Sequence, residues 1–313
     1  MLAIFLKTLP FFALIGLGWI AGRTRFFPED ATAWLTKFVF YFALSAMLFR
    51  FAATLSLAEI FDTGFVLAYL TGSAVVWVLA MAVARFRGQD LAPAAMEAHT
   101  AMTGNTGFLG VPMLVVLLGV QAAGPVLMVL TIDMIVFSTL VTMLVTGARQ
   151  GRVSVALLGA LAMGLLRNPM IMSMLAGLTW SALHLPMPAP LDEFTQILGA
   201  AATPGALFAI GASLAARRAA ERVAPAVWLS FAKLVLHPAA VAIAALYIFS
   251  VDPYAAGVMI AAAALPVAGN VYILAHHYGV AQARVSAAIL ISTAASILTV
   301  PAVIAWVTGA PNP

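Results

Sequence analysis

The sequence predicts an all-α integral membrane protein, with ten transmembrane helices arranged as two inverted five-helix repeats. Three observations lead to this fold class: an apolar composition, ten apolar windows, and short motifs that recur in both halves of the chain. Of the 313 residues, 64% are hydrophobic and only 8% are charged, whereas soluble domains contain roughly 25% charged residues. The chain has no cysteine, which excludes disulfides, thiolate catalysis and cysteine-bound metal.

Ten apolar windows are each long enough to cross a hydrocarbon layer of roughly 30 Å. They lie at about 4–22, 31–53, 62–84, 96–118, 124–146, 168–184, 191–215, 224–249, 254–277 and 283–308. A further apolar segment, 153–166, would extend only about 21 Å as a helix, and Arg152 and Arg167 bracket it. It is therefore predicted to be an interfacial cytoplasmic helix. The predicted units are a first repeat (1–151), this linker helix (152–167) and a second repeat (168–313).

The arginines are distributed unevenly between the connections. Eleven of them fall in the odd-numbered connections, and only Arg50 falls in an even-numbered one. By the positive-inside rule, the odd connections are cytoplasmic and both termini lie outside. The net charge of +4 is thus explained by short loops rather than by a nucleic-acid-binding patch, and no nucleic-acid partner is expected.

Four short motifs recur in the same order, 159 to 165 residues apart. The pairs are Gly16-Leu17-Gly18-Trp19 with Gly177-Leu178-Thr179-Trp180, Ala46-Met47-Leu48-Phe49 with Gly205-Ala206-Leu207-Phe208, Gly104-Asn105 with Gly269-Asn270, and Leu118-Gly119-Val120 with Tyr278-Gly279-Val280. The repeating unit contains five windows. Because five is odd, the second copy must enter the membrane from the opposite side, as in the inverted repeats of secondary transporters.

Two windows, the fourth and the ninth, contain residues that a continuous helix disfavours. Segments 103–112 and 265–270 combine glycines, a proline and an asparagine, and we predict helix breaks at Gly107, Pro112 and Pro266. An ordinary kink is the alternative for Pro112. Irregular backbone is tolerated at membrane depth only against protein or a water-filled cavity. Interrupted spans at matching positions in two halves therefore indicate a substrate site.

Asn105 and Asn270 are the central candidates for substrate binding. Their carboxamides, together with freed backbone groups and helix N-termini, can form a polar cradle that favours an anion. Alternatively, the two asparagines only satisfy the broken backbone, and these two roles are compatible. The remaining candidate substrate-binding residues at the breaks are Gly104, Thr106, Pro266, Gly269 and Tyr272.

Asp133 is the acid that lies well inside an apolar window. Intramembrane carboxylates are costly and are functional by default. Because burial disfavours the charged form, Asp133 is a candidate for proton coupling or for an internal counter-charge, with a structural hydrogen bond or ion pair as the alternative. Thr293 occupies the matching position in the second half.

Lys233 lies nine residues into the eighth window and has three interpretations. Its side chain could snorkel to the cytoplasmic surface, pair with Asp133, or contact a substrate anion. His237, one turn later, is interpreted as a structural partner. The adjacent His276 and His277 would point about 100° apart on a helix and make a poor metal pair, so no metal or cofactor is expected.

Ser45 and Thr203 lie in the second and seventh windows. They are candidates for a wall that faces the substrate. The equally good alternative is that they are small residues at contacts between membrane helices.

Several of these motifs together resemble those of a bacterial member of the auxin efflux carrier family, which includes the plant PIN carriers. They are segments 104–112 and 265–270, Asn168-Pro169, segment 203–214, Lys233-Leu234 and His237-Pro238. The resemblance spans essentially the whole chain. The sequence departs from the family in two places: the long hydrophilic loop of many plant members is absent, and Ser45 stands where a proline like Pro204 is expected.

The resemblance implies the fold of the bile-acid sodium symporters. Helices one, two, six and seven (about 4–53 and 168–215) would form a scaffold. Helices three to five and eight to ten (about 62–146 and 224–308) would form a transport domain in which helices four and nine cross. The resemblance also implies an elevator-like movement, a bacterial cell (inner) membrane location, and crossover asparagines at Asn105 and Asn270. The implied substrates are organic anions, namely auxin in plants and malonate- or malate-like acids in bacteria.

The expected function is therefore secondary transport of a small organic anion, with coupling to protons or to sodium both open. A sodium/proton antiporter on a related fold would normally need paired acids at the crossover. An intramembrane enzyme would need a catalytic pair or a metal cluster, and the sequence indicates neither. A non-transporting membrane receptor remains an alternative. A homodimer formed through the scaffold helices is one arrangement open to the chain.

Overall fold

The computed structural model describes residues 2–54, 62–150, 159, 163–164, 166–215 and 223–309. The regular secondary structure of these residues is helical, apart from one isolated antiparallel bridge. Twelve helices have their bounds within the described part of the chain. They are Leu2–Arg23 (α1), Glu29–Thr54 (α2), Thr63–Phe86 (α3), Leu91–Met102 (α4), Thr106–Leu118 (α5), Val120–Ala148 (α6), Pro169–Ala182 (α7), Ala189–Ala215 (α8), Val223–Ile248 (α9), Pro253–Ala263 (α10), Gly269–His277 (α11) and Gln282–Gly309 (α12).

Seven of these helices are long and apolar enough to cross a bilayer, as expected of a multi-pass membrane protein. They are α1, α2, α3, α6, α8, α9 and α12. The other three predicted windows contain shorter helices: α4 with α5, α7, and α10 with α11. The count of ten spans stays a prediction, and most of the predicted linker helix, with Arg152, lies outside the described residues.

Polar side chains fix where several helices begin. The Asp62 carboxylate accepts the Gly64 N–H at 2.7 Å at the start of α3, and Asn168 accepts the Met170 N–H at 2.9 Å at the start of α7. Asp252 does the same for α10, through the Ala255 N–H at 2.9 Å. Because the first N–H groups of a helix have no partner within the helix, these caps stabilise the three starts.

The helices of the predicted scaffold, α1, α2, α7 and α8, pack across the two halves of the chain. Helix α1 lies along the second part of α8, and α7 lies along the second part of α2. A Cβ atom added at Gly18 would overlap the Phe208 carbonyl, and one added at Gly177 would crowd the Phe49 carbonyl. Both glycines and both phenylalanines are 159 residues apart. The two halves of the chain thus make similar close contacts here, and the inverted repeat itself stays a prediction.

The remaining helices, α3 to α6 and α9 to α12, correspond to the predicted transport domain. Helix α3 packs on α4 and on α9, while α12 packs on α9, α10 and α11. Three of the membrane helices in this group carry or adjoin π-helical turns: Thr106–Gly110 in α5, Asp133–Phe137 in α6 and Ala232–Leu236 in α9. Such turns often mark functional sites.

Candidate functional site

Both predicted helix interruptions are present in the structure, and they contact each other. Helix α4 ends at Met102 and α5 begins at Thr106, while α10 ends at Ala263 and α11 begins at Gly269. Gly104 and Val267 form the isolated antiparallel bridge. The Asn105 N–H donates to the Pro266 carbonyl at 2.8 Å, and the Ala268 N–H donates to the Thr103 carbonyl at 3.1 Å. Each break therefore satisfies backbone groups that the other leaves free.

The first break is shorter than the predicted segment. The Asn105 carbonyl accepts the N–H groups of Leu109 at 3.0 Å and Gly110 at 2.9 Å, so the helix resumes directly after Asn105. Thr106 and Gly107 consequently lie in the π-helical first turn of α5, and Pro112 lies further along the same helix. Because Pro112 is the seventh residue of α5, it removes an N–H that would bond to the preceding turn, but it does not interrupt the helix. Pro266, in contrast, lies within its break.

The two asparagines differ in exposure but share one property. Asn105 is only 7% exposed, whereas Asn270, the second residue of α11, is exposed. In the part of the chain that the structure describes, neither carboxamide makes a hydrogen bond. The Asn105 amide atoms are not among the fully buried atoms without a partner, so they keep some access from outside and can donate and accept hydrogen bonds there.

The other predicted substrate-binding residues lie at varied distances from the crossing. Gly104 lies within the first break and Gly269 is the first residue of α11. Tyr272 lies one turn into α11, with its ring stacked near that of His276 at a centroid distance of 6.0 Å. Ser45 donates to the Phe40 carbonyl at 3.1 Å within its own helix. Thr203 lines a groove of about 210 Å³ between α2, α5 and α8. The groove also contains Pro112 and Arg50.

Lys233 is completely buried, so the snorkelling interpretation is wrong. Its ammonium group donates to the carbonyl of Ala263, the last residue of α10, and lies 3.1 Å from His237 Nδ1. Both partners are in the protein interior. A lysine that reached the surface would leave this helix end unpaired, so the interior contacts prevail over snorkelling.

Asp133 is also buried, at the start of the π-helical turn of α6. Its Oδ1 atom accepts the Tyr69 hydroxyl at 2.9 Å. Its Oδ2 atom is buried and has no hydrogen-bond partner among the described residues. Because a buried carboxylate is costly when charged and incompletely paired, Oδ2 is a position that a proton can occupy. Thr293 is buried in α12, with its carbonyl bound to Ser296 Oγ, and does not join Asp133.

Three further residues of this buried cluster, Tyr69, Ser73 and His237, were not predicted from the sequence as functional candidates. Tyr69 and Ser73 lie four residues apart on one face of α3. The Ser73 Oγ atom lies 2.9 Å from Nε2 of His237. The only local signal for the α3 pair was this spacing in an otherwise apolar helix. Their meeting with α6 and α9 depends on how the helices pack.

Glu97 is a second fully buried acid, so Asp133 is not unique in this respect. Glu97 lies in α4 and forms ion pairs with Arg87, which follows α3, and with Arg284 of α12. Arg284 also donates to Gln89 Oε1 at 2.8 Å. Two arginines that sequence analysis assigned to cytoplasmic loops thus bind one buried carboxylate.

Comparison with known proteins agrees with this architecture. Residues 3–304 match the model of a family described as membrane transport protein. The chain therefore belongs to this membrane transport protein family, and the resemblance to the auxin efflux carriers is confirmed. A Rhizobium meliloti (strain 1021) protein named "Putative malonate transporter" is 34% identical over 295 residues, which cover 93% of this chain and 92% of the relative.

Proposed function

We propose that this protein is an elevator-type secondary transporter of a small carboxylate anion that binds where the two helix breaks cross. One observation carries the proposal. The broken backbones bind each other, yet the carboxamides of the adjacent Asn105 and Asn270 are left without partners among the described residues. Polar groups at membrane depth that the fold does not use are expected to serve a ligand.

The electrostatics of the crossing suit an anion. Helix α5 begins at Thr106 and α11 begins at Gly269, so two helix N-termini, each carrying roughly half a positive charge, lie at the breaks. The ammonium of Lys233 is next to Gly104: a Cβ atom there would be 3.3 Å from Nζ. A carboxylate can thus be stabilised without an arginine in the site. A malonate- or malate-like acid fits both this chemistry and the name of the Rhizobium relative.

The proposed movement carries the crossing past a fixed scaffold. The groove between α2, α8 and α5 lies at the boundary between the predicted scaffold and the predicted transport domain. It offers a path on one side of that boundary. We place both termini outside and the protein in the bacterial inner membrane, on the arginine distribution and the family resemblance.

The first test measures ligand binding. Purified protein is heated with a panel of mono- and dicarboxylates, because a ligand at 100 times its Kd adds about 2.7 kcal/mol to stability. We expect a short dicarboxylate to raise the Tm, and Asn105→Ala or Asn270→Ala to abolish that increase. Ser213→Ala is the control, because among the described residues the Ser213 hydroxyl bonds only to the Ile210 carbonyl of its own helix. A Tm unaffected by every carboxylate argues against the proposal.

The second test measures coupling in liposomes. We propose that Asp133 takes up the coupling proton, since its Oδ2 atom is unpaired among the described residues. Asp133→Asn should then lose uptake driven by a pH gradient while retaining exchange of substrate across the membrane. Unchanged gradient-driven uptake in this variant would exclude Asp133 from coupling.

A further inference from the structure

We propose that Tyr69, Ser73 and His237 form a proton relay that connects the Asp133 carboxylate to the Lys233 ammonium beside the helix breaks. The role of this relay in transport rests on the proposed function. The relay itself rests on two sets of buried polar contacts between helices α3, α6 and α9 that meet on α3, with the lysine end bound to α10.

The contacts form two runs, one from Lys233 through His237 to Ser73 and one from Tyr69 to Asp133, that meet on one face of α3. Lys233 Nζ lies 3.1 Å from His237 Nδ1, and His237 Nε2 lies 2.9 Å from Ser73 Oγ. Tyr69 and Ser73 lie four residues apart on one face of α3, and the Tyr69 hydroxyl donates to Asp133 Oδ1 at 2.9 Å. All five side chains are at most 3% exposed, so bulk water does not compete for these contacts.

The chemistry of the end groups fixes the direction of every hydrogen bond. An ammonium can only donate, so His237 Nδ1 must accept and the proton of neutral His237 is on Nε2. Nε2–H then donates to Ser73 Oγ, which leaves the serine hydrogen for Tyr69. The Tyr69 hydrogen points to Asp133. The series is therefore oriented in one direction, from the lysine to the carboxylate.

A concerted shift along this series moves one positive charge without gaining or losing a proton. Lys233 passes a proton to His237 Nδ1, His237 Nε2–H passes one to Ser73, Ser73 passes one to Tyr69, and Tyr69 passes one to Asp133. The products are a neutral lysine amine, the other tautomer of neutral His237, unchanged hydroxyls and a protonated Asp133. The reverse shift restores the ammonium and the carboxylate.

This exchange ties proton uptake to the charge at the substrate site. The Lys233 ammonium binds the carbonyl end of α10 and lies next to Gly104 of the other break. An anion at the crossing favours the ammonium, and an added proton lets Lys233 stay charged while Asp133 is neutral. By thermodynamic linkage, anion binding and proton binding then strengthen each other equally.

The other buried titratable groups of the packed helices lie outside this series. His99 of α4 has its own partner, the Thr103 hydroxyl, at 3.1 Å from Nδ1. Glu97 of the same helix is held by Arg87 and Arg284. Ser292 of α12 contacts the second break by accepting the Val267 N–H at 3.1 Å, but it carries no charge. The proton path thus has one carboxylate end and one ammonium end.

The main test removes single members of the series. Tyr69→Phe deletes the hydroxyl and keeps the ring that packs against His237, with centroids 5.8 Å apart. His237→Gln keeps hydrogen-bonding atoms but cannot pass a proton. We expect both variants to reduce pH-gradient-driven accumulation at least tenfold and to flatten the pH dependence of KM, with exchange at equal pH retained.

Two matched controls separate the relay from general damage. Tyr254→Phe removes a hydroxyl that binds the Leu118 carbonyl at 3.0 Å, and Ser230→Ala removes a buried hydroxyl that binds Ala226 and Ala288. Both should behave as the wild type, whereas Ser73→Ala should behave as Tyr69→Phe. A wild-type proton-to-substrate ratio in Tyr69→Phe and Ser73→Ala overturns the relay.

A second measurement does not depend on transport. The infrared carbonyl band of protonated Asp133, identified by its loss in Asp133→Asn, is followed against pH in the purified protein. The relay predicts that Ser73→Ala and His237→Gln, which do not touch Asp133, change its proton affinity more than tenfold. Identical titrations in these variants and the wild type overturn the relay. Absence of carboxylate uptake by the wild type instead counts against the proposed function alone.

Discussion

The predicted scaffold and the predicted transport domain differ in what holds their helices together. In the scaffold, α1 and α8 approach so closely that a Cβ atom at Gly18 or Gly211 would overlap the backbone of the facing helix. In the predicted transport domain, α3 also approaches the Val241 backbone of α9 closely at Gly72, but charged side chains such as Glu97 and Lys233 are buried there as well. Backbone packing in a membrane stabilises helix pairs without buried charge, whereas buried charges are costly and are retained for function. Among the described residues, buried charge rather than close backbone contact therefore distinguishes the predicted transport domain from the predicted scaffold.

The largest expected loss of stability follows removal of Glu97. Glu97→Ala leaves Arg87 and Arg284 without their shared carboxylate, and breaking a buried ion pair typically costs about 3–5 kcal/mol. Thermal unfolding in detergent should show a Tm far below that of the wild type. The control is Glu193→Ala, an exposed acid of α8, which should leave the Tm unchanged. Similar Tm values for the two variants would contradict the idea that buried charge stabilises the predicted transport domain.

A smaller loss is expected from tightening the scaffold. Gly18→Ala forces α1 away from the Phe208 carbonyl, and overpacking of this kind costs about 1–3 kcal/mol. Gly16→Ala is a matched control two residues earlier, because nothing lies within 4 Å of a Cβ atom there. The same unfolding experiment compares the two. If Gly18→Ala is as stable as Gly16→Ala, close backbone contact is not what joins these helices.

The two breaks should respond differently to an added methyl group. A Cβ atom at Gly104 would lie 3.3 Å from both Lys233 Nζ and the Ala262 carbonyl, while at Gly269 it would meet nothing within 4 Å. Gly104→Ala should therefore cost about 1 kcal/mol and raise the KM for the transported anion by displacing the ammonium. Gly269→Ala should leave both the Tm and the KM for the transported anion unchanged. Equal effects would mean that Lys233 does not contribute to the first break.

The smallest effect is expected for the ion pair on the scaffold surface. Arg50 Nε lies 2.7 Å from Asp192 Oδ1, with side chains 32% and 42% exposed. Exposed ion pairs contribute little because water and salt screen them. Arg50→Gln should leave the Tm within experimental error of the wild type at physiological salt. A large drop would show that the scaffold also depends on charge.

Residue types alone predicted that the fourth and ninth windows are interrupted, because glycine, proline and asparagine within an apolar window leave few alternatives. Of the three residues predicted as breaks, Pro266 lies in an interruption, whereas Gly107 and Pro112 lie within α5. Asp133 was also identifiable from the sequence, because a carboxylate within an apolar window is costly to bury and is functional by default. The bounds of the first break were not predictable to the residue, since Asn105 resumes the helix through its own carbonyl. The direction in which the Lys233 side chain points was not predictable either. A long flexible side chain can reach the surface or the interior, and only the Ala263 carbonyl decides between them.

The sequence by itself determined that the chain is a membrane protein, that two of its apolar windows are interrupted, and which asparagines adjoin the interruptions. These properties depend on hydrophobicity and on local backbone preferences, which each short segment carries alone. The tertiary structure decided that Tyr69, Ser73 and His237 lie between Asp133 and Lys233, and that Arg87 and Arg284 share Glu97. Such contacts join residues up to 187 positions apart. They exist only once several helices have packed, so no local pattern contains them.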